Sequence, residues 1–239
     1  MPRLVWTRSD QRRESVLLIG GGEAPLNNQC RKPTGWVGRF VLRSMNKRHS
    51  KLTDWGLAQV AVGKSDTVLD LGCGGGRTVS KLAAVTTDGK VYGLDHSEES
   101  VAASKRENAR EIDAGRVEIR QGSVSQLPYL EDMFDLVTGV ETHFFWPDLR
   151  GDVREVLRVL KRGGTFLLVA EVYAGSKTKV GRLAEKHSDK TGMKLLTVEQ
   201  HRELLEGAGF SDVRVVEEVG KGWVCAFGRK KIILGAGGG

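Results

Sequence analysis

Apolar positions change their spacing several times along this chain, and each change marks an element. From Gly35 to Val62 they recur at helical intervals: Trp36, Phe40, Leu42 and Met45, then Leu52, Trp55, Leu57 and Ala58. TVLDL (67–71) is a short apolar run and reads as a strand, and TVSKLAAV (78–85) returns to helical spacing. KVYGLD (90–95) reads as a second strand, ending in an acid. SEESVAASKRENAREI (97–112) follows as a helix with Ser97 at its N-cap. Glu98 and Glu99 fall in its first turn, where the helix dipole favours acids. VEIRQG (117–122) and FDLVTGV (134–140) supply the third and fourth strands. DLRGDVREVLRVLKRGG (148–164) is amphipathic, with Val153, Val156, Leu157 and Leu160 on one face and a stop expected at Gly163–Gly164. TFLLVAEVY (165–173) is a fifth strand. A polar insert rich in Gly, Lys and Ser (174–196) breaks the rhythm. A capped helix from Thr197 (197–210) then leads to two strands, 212–219 and 222–230, which turn near Gly220–Gly222.

Strands alternating with helices predict an α/β fold: a doubly wound, mostly parallel sheet with helices on both faces and a C-terminal antiparallel hairpin. The expected division is a basic leader (1–30), a helical lid (31–62), the core (63–231) and a flexible tail (232–239).

Charge changes the picture only at one end. The net charge is +7, but residues 1–51 alone carry eleven Lys/Arg and three acids, and the remainder is close to neutral. A basic arm attracts nucleic acid or an acidic membrane surface, and a solvated leader has the same composition. The apolar stretch VLLIGGG (16–22) is too short to span a bilayer and lacks the layout of a signal peptide, so a cytoplasmic protein is expected. Cys30, Cys73 and Cys225 form no CxxC pair, and the histidines lack metal-ligand spacing. Neither a disulfide nor a structural metal is expected. The arginines at 150, 154 and 158 read as a solvated helix face.

Candidate chemistry gathers around TVLDLGCGGGRTVSKL (67–82). Glycines after a first strand let the backbone turn tightly and approach a ligand. A dinucleotide fingerprint would need a third glycine where Arg77 stands, and a phosphate loop would need Gly-Lys-Ser/Thr. Asp95, at the tip of the second strand, is placed to accept hydrogen bonds from ribose hydroxyls.

These segments resemble the class I S-adenosylmethionine-dependent methyltransferases, and look closest to the small-molecule, ubiquinone/menaquinone subgroup. VLDLGCGGG is similar to their first motif, VYGLDHS to the second and IRQGSVSQLPY (119–129) to the third. FDLVTGVETHFFWPDL, REVLRVLKRGGTFLLV and LLEGAGFSDVRVVE continue the likeness, which runs from about residue 35 to 230. The resemblance implies a Rossmann-like seven-stranded core and methyl transfer from S-adenosylmethionine to a small-molecule acceptor, releasing S-adenosylhomocysteine. It implies that Gly72, Cys73 and Gly74 pass beside the methionine part of the cofactor and that Asp70 holds its ammonium group. Asp95 would bind the ribose, with His96 and Ser97 following it beside the adenine. Gly122, Ser123 and Val124 would line the adenine site, with Ser123 standing where the family usually has an acid. Glu141 would lie under the cofactor, and His49 or Asn46 would reach the cofactor or acceptor from the lid. His143, Glu141 and Tyr173 are the candidate proton acceptors. The cluster Phe144–Trp146 suits an apolar or aromatic acceptor, although such residues are more often core. Two other readings stay open: an RNA- or protein-directed methyltransferase that uses the basic arm, and a non-catalytic cofactor-binding protein. The fourth strand lacks the N/D-P-P-Y signature of base methylation, so nucleic acid is not the expected partner.

Overall fold

A strand covered on both faces needs apolar side chains at every position, not at alternate ones. β1 (Thr67–Leu71) is buried from Val68 to Leu71 and follows that rule except at Asp70. The computed structural model describes residues 49–232. Those residues form a seven-stranded sheet of order β3-β2-β1-β4-β5-β7-β6. Its other strands are β2 (Lys90–Asp95), β3 (Val117–Gln121), β4 (Phe134–Val140), β5 (Leu160–Ala170), β6 (Phe210–Glu218) and β7 (Trp223–Lys230). β1 to β5 run parallel, whereas β7 is antiparallel to both β5 and β6. This is the expected fold class. The terminal pair forms the expected hairpin, with Gly222 in its turn.

Alternation along β1 feeds two cores. Leu69 and Leu71 join Val153 and Val156 of α5 (Leu149–Val159) and Leu204 and Leu205 of α7 (Val198–Ala208). On the other face, Val68 meets Leu52 of α1 (Ser50–Leu57), Val79 and Leu82 of α2 (Arg77–Val85) and Val101 of α3 (Glu98–Glu107). Each such side chain contributes about 1.5–3 kcal/mol on full burial. The chain leaves β1 for β2 on one side and returns to β4 on the other. The carboxyl ends of β1 and β4 therefore bound the crevice where ligands bind in open α/β sheets.

Several elements differ from the expectations. The helix expected over 97–112 is two, α3 and α4 (Ala109–Asp113), parted at Asn108. The Asn108 amide donates to the carbonyls of Ser104 (2.9 Å) and Gly76 (3.0 Å), which ends α3 and ties it to the glycine turn. α5 stops at Val159, ahead of the glycine pair. Leu160 instead pairs with Phe134, and the next pair in register is Leu136 with Thr165, so Gly163 and Gly164 lie in a bulge of β5. Lys230 caps the end of α5 by donating to the carbonyls of Arg158 (3.1 Å) and Leu160 (2.8 Å). The polar insert holds a helix, α6 (Lys179–Thr191), started by the Thr178 hydroxyl accepting the Gly181 N–H at 3.0 Å. Val180, Leu183 and Ala184 fall at helical spacing on it, but only Gly181 is buried, and the surrounding Gly, Lys and Ser read as a loop.

Arg158 departs from the solvated face that Arg150 and Arg154 keep. It pairs with Glu155 (2.8 Å) and donates to the carbonyls of Tyr129 (3.0 Å) and Leu127 (3.2 Å). Glu155 in turn accepts the Leu127 N–H at 2.9 Å, so the pair clamps the loop after β3.

The leader, the lid up to residue 48 (with Asn46), Cys30 and the tail beyond 232 lie outside the described residues. Among the described residues no helix is long and apolar enough to cross a membrane.

Candidate functional site

The glycine turn is built from backbone hydrogen bonds. The N–H groups of Gly72 (2.8 Å) and Cys73 (3.0 Å) both donate to the Leu94 carbonyl of β2, and Gly76 N–H closes back on the Cys73 carbonyl (2.8 Å). Gly72 has φ +66°, and a Cβ there would lie 2.2 Å from the Thr142 hydroxyl oxygen. Gly76, at φ +83°, presses against α3 at Ser104 and Asn108. Glycine is required at both by conformation and by space.

Asp95 fixes the turn from the neighbouring strand tip. Its Oδ2 accepts the Gly74 N–H at 2.9 Å, and its Oδ1 accepts the Ser97 N–H at 2.9 Å. Each carboxylate oxygen keeps a further lone pair for a ligand. Ser97 is fully buried and caps α3, its hydroxyl accepting the Ser100 N–H, so it braces the wall without facing the cavity.

A cavity of about 280 Å³ opens above this turn. Gly72, Cys73, Gly74 and Asp95 line it, together with His96, Gly122, Ser123 and Val124 from beyond β2 and β3. His49, ahead of α1, and Glu141, Thr142, Phe145 and Trp146, beyond β4, also line it. Burial first, then the charges of Asp95 and Asp70, push the Cys73 thiol well above its ordinary range, which suits an inert wall residue. Ser123 presents a hydroxyl that accepts the Ser125 N–H at 3.2 Å.

Asp70 lies behind this wall and is not part of the lining. Register sets Asp70 beside Thr138 of β4, whose hydroxyl donates to its Oδ1 at 2.7 Å. Burial raises the carboxyl from 3.8 to about 7, the Thr138 bond opposes the rise, and the Asp95 charge adds to it.

Two of the candidate proton acceptors do not reach the cavity. His143 opens a short 3₁₀ turn (His143–Phe145) that directs its ring inward, where it is fully buried between Phe144 and His201 at ring distances of 4.4 and 5.3 Å. Neither ring nitrogen has a hydrogen-bond partner among the described residues. Burial, and then His201, hold its pKa well below the ordinary value, so the imidazole is neutral. Tyr173 packs with Phe144, Val172 and Val224, and burial followed by Glu217 raises its phenol. The turns that follow β4 and β5 decide these directions, and residue spacing does not report them. Glu141 is the candidate that does face the cavity. Its backbone is left-handed at φ +57°, and its Oε1 accepts the Glu171 N–H.

Sequence reasoning missed Thr142, which seats against Gly72 and accepts the Trp146 indole N–H at 3.2 Å. It also missed Thr53 and Arg77 in the lining, and Glu171, whose carboxylate lies 3.4 Å from His49 Nε2. The acid in AEVY was the available signal for Glu171.

Comparisons with known proteins bear on the domain and the fold. Residues 69–168 match the family model described as a methyltransferase domain. The chain is 32% identical over 109 residues to sterol 24-C-methyltransferase erg-4 of Neurospora crassa, covering 46% of this chain and 28% of that protein. The chain thus spans less than a third of that relative's length. It is 28% identical to the demethylmenaquinone methyltransferase of Listeria welshimeri, over 77% of this chain and 87% of that one. The methyltransferase solved in complex with the Haloferax volcanii Trm112 activator shares the fold, with a TM-score of 0.71 at 23% identity over 82% of this chain and 96% of that one. In fold, glycine turn and domain match the chain is similar to the class I S-adenosylmethionine-dependent methyltransferases.

The residues present fit the cofactor of that class. Asp95 keeps acceptor capacity at the cavity, and the glycine bend brings backbone close with no side chain in the way.

Proposed function

We propose that the chain transfers a methyl group from S-adenosylmethionine to a small-molecule acceptor. The observation that carries this reading is the meeting of Asp95 with the Gly72–Gly74 turn at the rim of one cavity between β1 and β4. S-adenosylmethionine supplies a methyl group already activated on a sulfonium. Asp95 takes the ribose hydroxyls, and the turn lies beside the methionine part. Leu94, His96, Ser123 and Val124 surround the adenine. Asp70 acts from behind the wall by holding the turn between β1 and β4, in place of a direct bond to the ammonium group.

Phe145, Trp146 and Pro147, with His49 and Glu141, form the remaining wall and receive the acceptor. That lining suits an acceptor with an apolar body and one polar group. Alignment and exclusion of water supply most of the rate in such a site. Where the acceptor must lose a proton, Glu141 is the candidate placed to assist.

Calorimetry with S-adenosylmethionine and S-adenosylhomocysteine tests the reading. Binding of both is expected, weakened at least tenfold in Asp95→Ala. Release of S-adenosylhomocysteine with a panel of quinol, sterol and amine acceptors then identifies the reaction. A folded chain that takes up neither compound rules the proposal out.

A further inference from the structure

Three side chains from separate segments converge beside the cavity, two of them in its wall: His49 ahead of α1 and Glu141 beyond β4, with Glu171 beyond β5 behind them. Each offers one ligand atom, and these atoms lie within 4.8 Å of one another. His49 Nε2 is 3.4 Å from Glu171 Oε2 and 3.9 Å from Glu141 Oε2. Two ligands held about 2.1 Å from an ion at a tetrahedral angle stand about 3.4 Å apart, so this spacing needs little closure. The Glu171 backbone N–H holds Glu141 Oε1, which leaves Oε2 turned toward the imidazole. Such outer support is what orients metal-binding carboxylates. The side chains keep 16%, 13% and 19% of their surface, so the place is sheltered and an ion can still enter.

The geometry points to a binding site for one divalent transition-metal ion, of the Zn²⁺ or Mn²⁺ kind, held by His49, Glu141 and Glu171. An imidazole with two carboxylates selects such ions over Mg²⁺ or Ca²⁺, which favour oxygen-only shells. Three protein ligands leave a coordination position open, as in metal sites that bind a substrate. His49 and Glu141 also line the cavity, so the open position faces it. On the methyl-transfer reading, an oxygen or nitrogen of the acceptor takes that position, and Glu141 then holds the ion in place of acting as a base. The ion site itself does not depend on that reading.

The test uses the full chain stripped of metal with a chelator that is then removed. Zn²⁺ is titrated by calorimetry, and Mn²⁺ by loss of the free-ion electron spin resonance signal. One ion per chain is expected, with affinity at least tenfold lower in both His49→Ala and Glu171→Gln. Circular dichroism and melting confirm that each variant is folded. No saturable uptake of either ion by the folded chain overturns the proposal, as does equal uptake by the chain and both variants. S-adenosylhomocysteine calorimetry on the same sample separates the two claims. Cofactor uptake without metal uptake sinks the ion site alone, and metal uptake without cofactor uptake sinks the methyl-transfer reading alone.

Discussion

Replacing Asp70 with Asn isolates the electrostatic cost of a buried acid under the glycine turn. The carboxyl is 2% exposed, and its pKa rises from 3.8 to about 7 on folding. Between those values the folded chain keeps a proton that the unfolded chain has released. Asp70 therefore favours the folded state at the acid end of this window, and that contribution is lost as pH rises through about 7. A shift of about 3 units at about 1.4 kcal/mol each amounts to about 4 kcal/mol above the window. About 2–3 kcal/mol of it falls between about pH 5 and pH 8. Asn keeps an oxygen to accept the Thr138 hydroxyl and carries no charge. Its amide N–H groups shift the absolute stability by about 1–3 kcal/mol, to nearly the same extent at every pH. Urea unfolding of both proteins across the range gives the difference directly, and the buried histidines cancel because both proteins share them. The variant is expected to gain about 2–3 kcal/mol on the wild type between about pH 5 and pH 8, or about 2–4 °C in Tm per kcal/mol. A stability difference that stays constant to about 0.5 kcal/mol over that range refutes the assignment of a buried, proton-holding Asp70.

His143 is held neutral by burial, so below its ordinary value of 6.5 the unfolded chain takes up a proton that the folded chain refuses. Stability is therefore lost as pH falls from about 6.5, and His143→Phe should flatten that loss in thermal melts at about pH 5. Gly72→Ala combines a left-handed backbone with a Cβ 2.2 Å from Thr142, and should lower S-adenosylhomocysteine affinity more than tenfold in calorimetry. Unchanged affinity would remove the turn from the cofactor site. Arg158→Ala frees the Leu127 and Tyr129 carbonyls and should cost about 1.5–3 kcal/mol in urea unfolding. A loss under about 0.5 kcal/mol would return Arg158 to the solvated face read from its spacing.

Much of the core was legible because the pattern and the packing obey one rule. Buried parallel strands are mostly apolar, so TVLDL and FDLVTGV stand out and coincide with β1 and β4, with Asp70 and Thr138 as their buried polar positions. Glycines and acids at strand ends mark the rim, and Asp95 with Gly72 and Gly74 could be singled out on that ground. Helix ends were less legible. Asn108 breaks a helix with side-chain bonds to Ser104 and to the distant Gly76, and Leu160 leaves a helix because Phe134 offers a strand to pair with. α6 escaped notice because its stripe of Val180, Leu183 and Ala184 is short and set in a segment rich in Gly, Lys and Ser.

The site divides along the same line. Residue type and order along the chain are enough to establish an alternating sheet, a glycine turn at its first rim and an acid at the second. Those features depend on neighbours within a few residues and on burial of whole strands. Direction is another matter. Asp70 turns behind the wall toward Thr138, His143 into the core toward His201, and Glu141 toward His49 and Glu171. Each partner lies on a different element, and each turn is decided by how those elements pack. Tertiary structure alone determined which acids and histidines share the cavity.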